Sequence, residues 1–164
     1  MMLFKKPRGN PAAVREIVDA YRQFRPTPPF NVLPELMGRG APHFRETDDW
    51  DPHYHVGHLS LPTGSSYDDL LRLVSDLHEP MLDRRRPLWD VHVIDGLWDG
   101  QFAVYYRMHH AYADGITMAR WGAESLASEA ADLQLRPVWA ADRGRRGGAT
   151  RTQRLDQRLM SMTW

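Results

Sequence analysis

Near the start of the chain, apolar residues recur at helical spacing. Val14, Ile17, Val18 and Tyr21 fall at i, i+3, i+4 and i+7, which lays one apolar stripe along a predicted helix. Asn10-Pro11 supplies its start, a capping side chain followed by a residue whose missing N–H costs nothing there. Pro26, Pro28 and Pro29 end that helix, and the Pro-bounded stretch to about Asp51 shows no clear period. The spacing then switches to 2: His55 to Leu61 alternates as a strand, closed by Pro62 and Gly64. Ser66 is placed to cap a second helix, with Asp68 and Asp69 in the first turn, where the helix dipole favours acids. Leu70, Leu71, Val74 and Leu77 are its predicted buried face.

The second half carries the clearest pattern. Pro87 to Asp95 reads as a strand, Gly96 to Gly100 as a turn, and Gln101 to His110 as a second strand, so an antiparallel hairpin is predicted. Asp114-Gly115 then begins a helix running to about Ser128. Helices alternating with strands, one pair of them antiparallel, give an α/β fold class in the broad sense, α+β or mixed.

Composition changes this picture mainly by exclusion. The 164 residues suffice for one domain with a real core. Twenty-one Lys+Arg balance 21 Asp+Glu, so no global field marks a nucleic-acid binder, and no nucleic-acid partner is expected. With no Cys, disulfides, thiolate zinc sites and a Cys nucleophile are excluded. No run approaches the roughly 20 apolar residues that span a bilayer, and no signal peptide is visible, so a cytoplasmic chain is expected. From Arg136 to Arg158, seven Arg face only two Asp among Gly, Ala and Thr, the composition of a solvated linker or arm.

Candidate chemistry concentrates in Met108-His109-His110-Ala111-Tyr112-Ala113-Asp114-Gly115, an HHxxxDG pattern. If the strand runs through it, Phe102, Val104, Tyr106, Met108 and His110 share one face and His109 points the other way. A neutral imidazole at a strand end can accept a hydroxyl proton near neutral pH, its ordinary pKa being about 6.5. Asp114 can cap the next helix or pair with an Arg, and Gly115 permits close approach of a bulky ligand. The same residues also fit two structural histidines beside an ordinary Asp-Gly helix start. Upstream, His53, His55 and His58 could place two zinc ligands on one strand face, but no carboxylate or Cys completes a known spacing, so no metal is expected.

The motif His109 to Gly115 resembles the active-site signature of the chloramphenicol acetyltransferase-like superfamily. Three further stretches resemble the bacterial wax ester synthase/diacylglycerol acyltransferase family within it. They are Pro87-Leu88-Trp89 ahead of a strand, Leu82-Asp83-Arg84-Arg85-Arg86 before it, and Tyr54-His55-Val56 following Asp51. The likeness covers roughly residues 1–130. It implies one half of a two-domain, two-layer sandwich, with residues 1–130 as an N-terminal acyltransferase domain truncated at its start. Residues 131–164 are then an Arg/Gly-rich linker towards a missing C-terminal half that is the chain's partner, and the isolated fragment is expected to be inactive.

The resemblance also implies a reaction: transfer of a fatty acyl group from acyl-CoA, a co-substrate with no bound cofactor, to diacylglycerol or a long-chain alcohol. His110 is the implied general base; His109 shapes the site, Asp114 orients it and Gly115 keeps it open. Pro87, Leu88 and Trp89 are expected near the substrate path, although Leu88 and Trp89 suit a core equally well. Such substrates imply work at the periphery of a membrane or lipid droplet, where the Arg136–Arg158 stretch could meet anionic head groups. Two alternatives stand beside this one: a condensation-type acyltransferase acting on carrier-bound substrates, and a non-catalytic half that only binds acyl chains or a partner.

Overall fold

The two alternating segments at 87–110 form the centre of a sheet, because every second residue of each is apolar on the same side. The computed structural model describes residues 1–35, 43–126 and 137–140. Strand β1 (Met2–Lys5) leads into helix α1 (Ala13–Gln23), then β2 (Val32–Glu35), β3 (His43–Glu46) and a single helical turn α2 (Pro52–His55). Strand β4 (Val56–Ser65), helix α3 (Tyr67–His78), β5 (Trp89–Leu97), β6 (Gln101–Met108) and helix α4 (Gly115–Glu124) follow. The main sheet has the order β1-β6-β5-β4, while β2 and β3 form a separate antiparallel pair. Strands β5 and β6 are antiparallel, as the hairpin pattern predicts, with Trp89 opposite Met108 and Asp90 opposite Arg107. Strand β4 joins β5 in parallel through the α3 crossover, so the sheet is mixed.

Each sheet face has its own core. On one side Val91, Val93, Phe102 and Val104 pack with Val14 and Val18 of α1, and with Phe30, Trp89, Trp121 and Trp139. On the other side Ile94, Leu97, Ala103 and Tyr105 meet Leu70 of α3. Helix α3 begins as its sequence directs: the Ser66 side chain accepts from Asp69 N–H while the Asp69 carboxylate accepts from Ser66 N–H, a reciprocal capping box. Gly96 sits at φ +88° beside the irregularity in β4, where a Cβ would lie 2.0 Å from the Leu61 carbonyl oxygen, so only glycine fits there.

Several expectations are corrected. Asn10 caps a turn ahead of α1 rather than the helix itself: its side chain accepts from Ala12 N–H and reaches Glu16, and regular helix starts at Ala13. The stretch before Asp51 contains the β2–β3 pair, which its lack of alternation hides. Strand β4 runs on through Pro62 and Gly64, as an edge strand can. Leu71 is exposed, and Leu73 joins Val74 and Leu77 against the core. Strand β5 continues to Leu97, β6 stops at Met108 rather than His110, and α4 ends at Glu124. Within the stretch read as a linker, residues 137–140 pack inward with Val138 and Trp139 buried, and its remaining residues lie outside those described.

His53 and His55 occupy the α2 turn rather than a strand, so the two-ligand strand face does not form. The Asp51 carboxylate caps that turn by accepting from His53 and Tyr54 N–H. His55 is fully buried between aromatic rings, 4.5 Å from Trp89 and 5.2 Å from Trp50. Its Nδ1–H donates to the Trp89 carbonyl at 2.8 Å, and Nε2 finds no partner among the described residues. Burial pushes this imidazole below its ordinary range, so it is neutral in the fold.

Trp89 is the centre of the first core. It touches Phe30, Trp50, His55 and Trp139, and its indole N–H donates to the Phe30 carbonyl at 2.7 Å. Trp89→Ala is therefore expected to cost about 3–5 kcal/mol, a large share of a domain's stability, measured by urea unfolding. The depressed His55 pKa has a sign: the unfolded chain binds its proton first as pH falls. Its stabilising effect is complete above the unfolded value of about 6.5 and is lost below it. The melting temperature should fall between about pH 7.5 and about pH 5.5, and less steeply in His55→Gln.

Candidate active site

The site begins where the central hairpin ends. Met108 is the last residue of β6, opposite Trp89, and His109 N–H makes one more cross-strand bond, to the Leu88 carbonyl at 2.9 Å. The chain then turns: Tyr112 N–H donates to the His109 carbonyl at 3.1 Å, and Ala111 N–H donates to His109 Nδ1, also at 3.1 Å. Because Nδ1 accepts, the neutral His109 ring carries its proton on Nε2. Partial desolvation, reinforced by His110 and Arg84, lowers the His109 pKa and favours that neutral form.

His110 is exposed and lies within the turn. The face assignment from strand alternation therefore holds only as far as Met108: Phe102, Val104, Tyr106 and Met108 share the first core, and His110 is not on the strand at all. Alternation fails here because the turn replaces extended backbone.

Tyr112 anchors the turn. Its buried ring joins the first core, its hydroxyl oxygen accepts from Leu88 N–H at 2.8 Å, and its O–H donates to the Val32 carbonyl. Burial raises the phenol to about 12, only partly offset by the Leu88 bond, so the group stays a donor. Asp114 Oδ1 accepts from Thr117 N–H at 2.7 Å and caps α4, and Gly115 opens that helix with no described atom within 4 Å of where a Cβ would sit. Pro87, Leu88 and Trp89 are buried. Leu88 holds the histidine turn through both of its backbone groups.

Beneath the turn lies a charge cluster that pattern reading overlooked. Buried Asp90 accepts from Arg107 Nε and lies 3.4 Å from His92, and Arg107 also donates to the Leu77 and Pro80 carbonyls near the end of α3. Burial raises the Asp90 carboxyl, but nearby His92 and the bonds from Arg107 outweigh it and lower the group from its ordinary value. Opposite charges near facing positions of the hairpin were a partial signal, and the observed register pairs Asp90 directly with Arg107. In the loop ahead of Pro87, Arg85 pairs with Asp83, and Arg86 pairs with Asp51 at 3.1 Å while stacking over Tyr54. Among the described residues, no three His, Asp or Glu side chains gather to hold a metal. No described helix is long and apolar enough to cross a membrane.

The chain is similar to known proteins in both sequence and fold. The sequence profile of the wax ester synthase/diacylglycerol acyltransferase catalytic domain matches residues 1–163. A probable diacylglycerol O-acyltransferase of Mycobacterium tuberculosis is 39% identical over 145 residues, covering 85% of this chain and 32% of the relative. A second from the same organism is 34% identical over 157 residues, covering 93% of this chain and 33% of the relative. The solved wax ester synthase/diacylglycerol acyltransferase from Marinobacter aquaeolei superposes with a TM-score of 0.78 at 34% identity, over 90% of this chain and 36% of that one. The chain thus spans about a third of the length of the curated relatives it matches. On the profile match and the shared fold together, it belongs to the wax ester synthase/diacylglycerol acyltransferase family.

Proposed function

We propose that this chain carries the histidine end of an acyl-CoA-dependent O-acyltransferase, which moves a fatty acyl group onto diacylglycerol or a long-chain alcohol. The observation that carries the reading is the turn at 109–115: an exposed histidine follows a neighbour whose ring is already bonded, at the end of a rigid hairpin in this family's fold. His110 is the general base. The alcohol O–H gives its proton to the His110 imidazole as its oxygen attacks the thioester carbonyl. A C–O bond forms, the tetrahedral intermediate collapses, and the C–S bond breaks. His110 then returns the proton to the departing CoA thiolate, leaving an ester and a free thiol. No covalent acyl-enzyme is needed.

The other site residues take supporting roles. His109, kept neutral with Nε2–H outward from its bonded Nδ1, shapes the site as a donor rather than a base. Asp114 fixes the start of α4, and Gly115 leaves room beside the turn. Leu88 and Trp89 are core supports, and Pro87 sets the strand entry. The relatives are about three times as long as the matched span, so a complementary half would supply the opposite wall of the substrate channel. Both acyl acceptors partition into lipid, which favours action at a membrane or droplet surface without spanning it.

General-base assistance is typically worth ~10²–10⁴-fold in rate. His110→Ala should lower turnover by that order with little change in melting temperature, because an exposed side chain carries little packing. The assay is thioester consumption with diacylglycerol and with a long-chain alcohol, in a polypeptide extended to the length of the relatives. His109→Ala should be milder, and if it proved the dead variant while His110→Ala stayed active, the assignment of the base would be wrong. A separate prediction concerns the helix cap. Asp114→Ala should lose about 1 kcal/mol in urea unfolding along with some turnover, whereas Asp114→Asn, which still accepts from Thr117 N–H, should recover the stability.

A further inference from the structure

We propose that Tyr112 is a positioning residue for this reaction: its hydroxyl locks the histidine turn to two backbone segments and so fixes the tautomer and direction of the His109 ring. The proposal rests on the acyltransferase reading for its catalytic consequence, but not for the lock itself.

Tyr112 lies in the middle of the HHxxxDG pattern, and its side chain is buried while its neighbours His109, His110 and Asp114 are exposed. One oxygen serves two elements. It accepts from Leu88 N–H, on the residue entering β5, and donates to the carbonyl of Val32 in β2. Leu88 is also the residue whose carbonyl accepts from His109 N–H. The phenol thus closes a loop of bonds: His109 N–H to Leu88, Leu88 N–H to Tyr112, and Tyr112 N–H back to the His109 carbonyl. Within that loop Ala111 N–H is delivered to His109 Nδ1 at 3.1 Å. A residue that only filled the core would not need its hydroxyl; a phenylalanine would fill the same space. Removing the oxygen leaves a buried Leu88 N–H without its acceptor and a Val32 carbonyl without that donor, so the turn must shift to find partners. Such a shift releases the Ala111–His109 bond, and with it the single Nε2–H tautomer of the ring.

The test is Tyr112→Phe, read in two ways. Long-range ¹H–¹⁵N spectra of histidine-labelled protein report the tautomer, with His109 identified by the signals lost in His109→Gln. The unsubstituted chain should show His109 as one Nε2–H tautomer, and Tyr112→Phe should show an average of both. In the extended polypeptide, the same substitution should lower kcat roughly 10- to 100-fold, the scale of a small misplacement of reacting groups, with KM for the thioester unchanged. A His109 spectrum that does not change, or a kcat within experimental error of the parent, overturns the proposal. If Tyr112→Phe does not fold, an amide-to-ester replacement at Leu88 keeps the tyrosine and removes only the N–H that its hydroxyl accepts from; the same tautomer and kcat criteria then apply. Should the extended polypeptide consume no thioester at all, the proposed function fails, whereas the tautomer comparison still decides the lock.

Discussion

The antiparallel pairing of β5 with β6 sets the position of everything else in the molecule. Its register puts Trp89 opposite Met108, so the two strands run out together, and one further bond from His109 N–H to Leu88 fixes where the chain leaves the sheet. That exit lies over the most densely aromatic part of the core, where Trp89 is wedged among Phe30, Trp50, His55 and Trp139. A buried indole of this size has few rotamers open to it, and its N–H bond to the Phe30 carbonyl removes the remaining freedom. The histidine turn therefore leaves the sheet beside a tightly packed aromatic cluster.

Charge is arranged to reinforce the same place. Taking Asp90 and Arg107 out of water costs more than their attraction alone returns unless the remaining hydrogen-bonding capacity is filled. Here Arg107 fills it: Nε and Nη2 both donate to the carboxylate, and Nη1 reaches the Leu77 and Pro80 carbonyls. The pair is adjacent to the Trp89–Met108 pair but on the opposite sheet face, so apolar packing holds the strand end from one side and ionic bonding from the other. His55 follows the opposite logic. Buried against tryptophans with a single bond to the Trp89 carbonyl, it avoids the desolvation penalty by remaining neutral.

How much of this was legible in the sequence follows from the range of each signal. The hairpin, the Ser66 capping box and the Asp114 cap are local, written in alternation or in side chains three residues from the N–H they bind, and the structure has them all. The β2–β3 pair was not legible, because Val32-Leu33-Pro34-Glu35 has no alternation and pairs at a distance. His55 and Val56 look like one strand in sequence, and only the capping action of Asp51 shows that a helical turn comes first. Val138 and Trp139 stand beside an Arg/Gly-rich run whose composition masks two core residues. In the site, the residue types were recognisable but their orientation was not. Pro87-Leu88-Trp89 suited a path or a core equally well in sequence, and the structure buries all three.

The two adjacent histidines show why orientation required the structure. Strand alternation separates neighbours onto opposite faces, and it assigned His110 to the apolar face of β6; but the strand ends before either residue, so that warrant does not apply. The distinction between them comes instead from hydrogen bonding. His109 spends Nδ1 on Ala111 N–H and sits where partial desolvation and positive neighbours disfavour its protonation. A ring so placed can donate from Nε2 but is a poor resting place for an incoming proton. His110 stands exposed at the crest of the turn, held by a backbone that Leu88, Tyr112 and Asp114 fix from three directions. The difference between the two rings is thus carried by a two-residue hydrogen bond and a buried phenol. The spacing of the motif matters because it places Ala111, Tyr112 and Asp114 where each can do this.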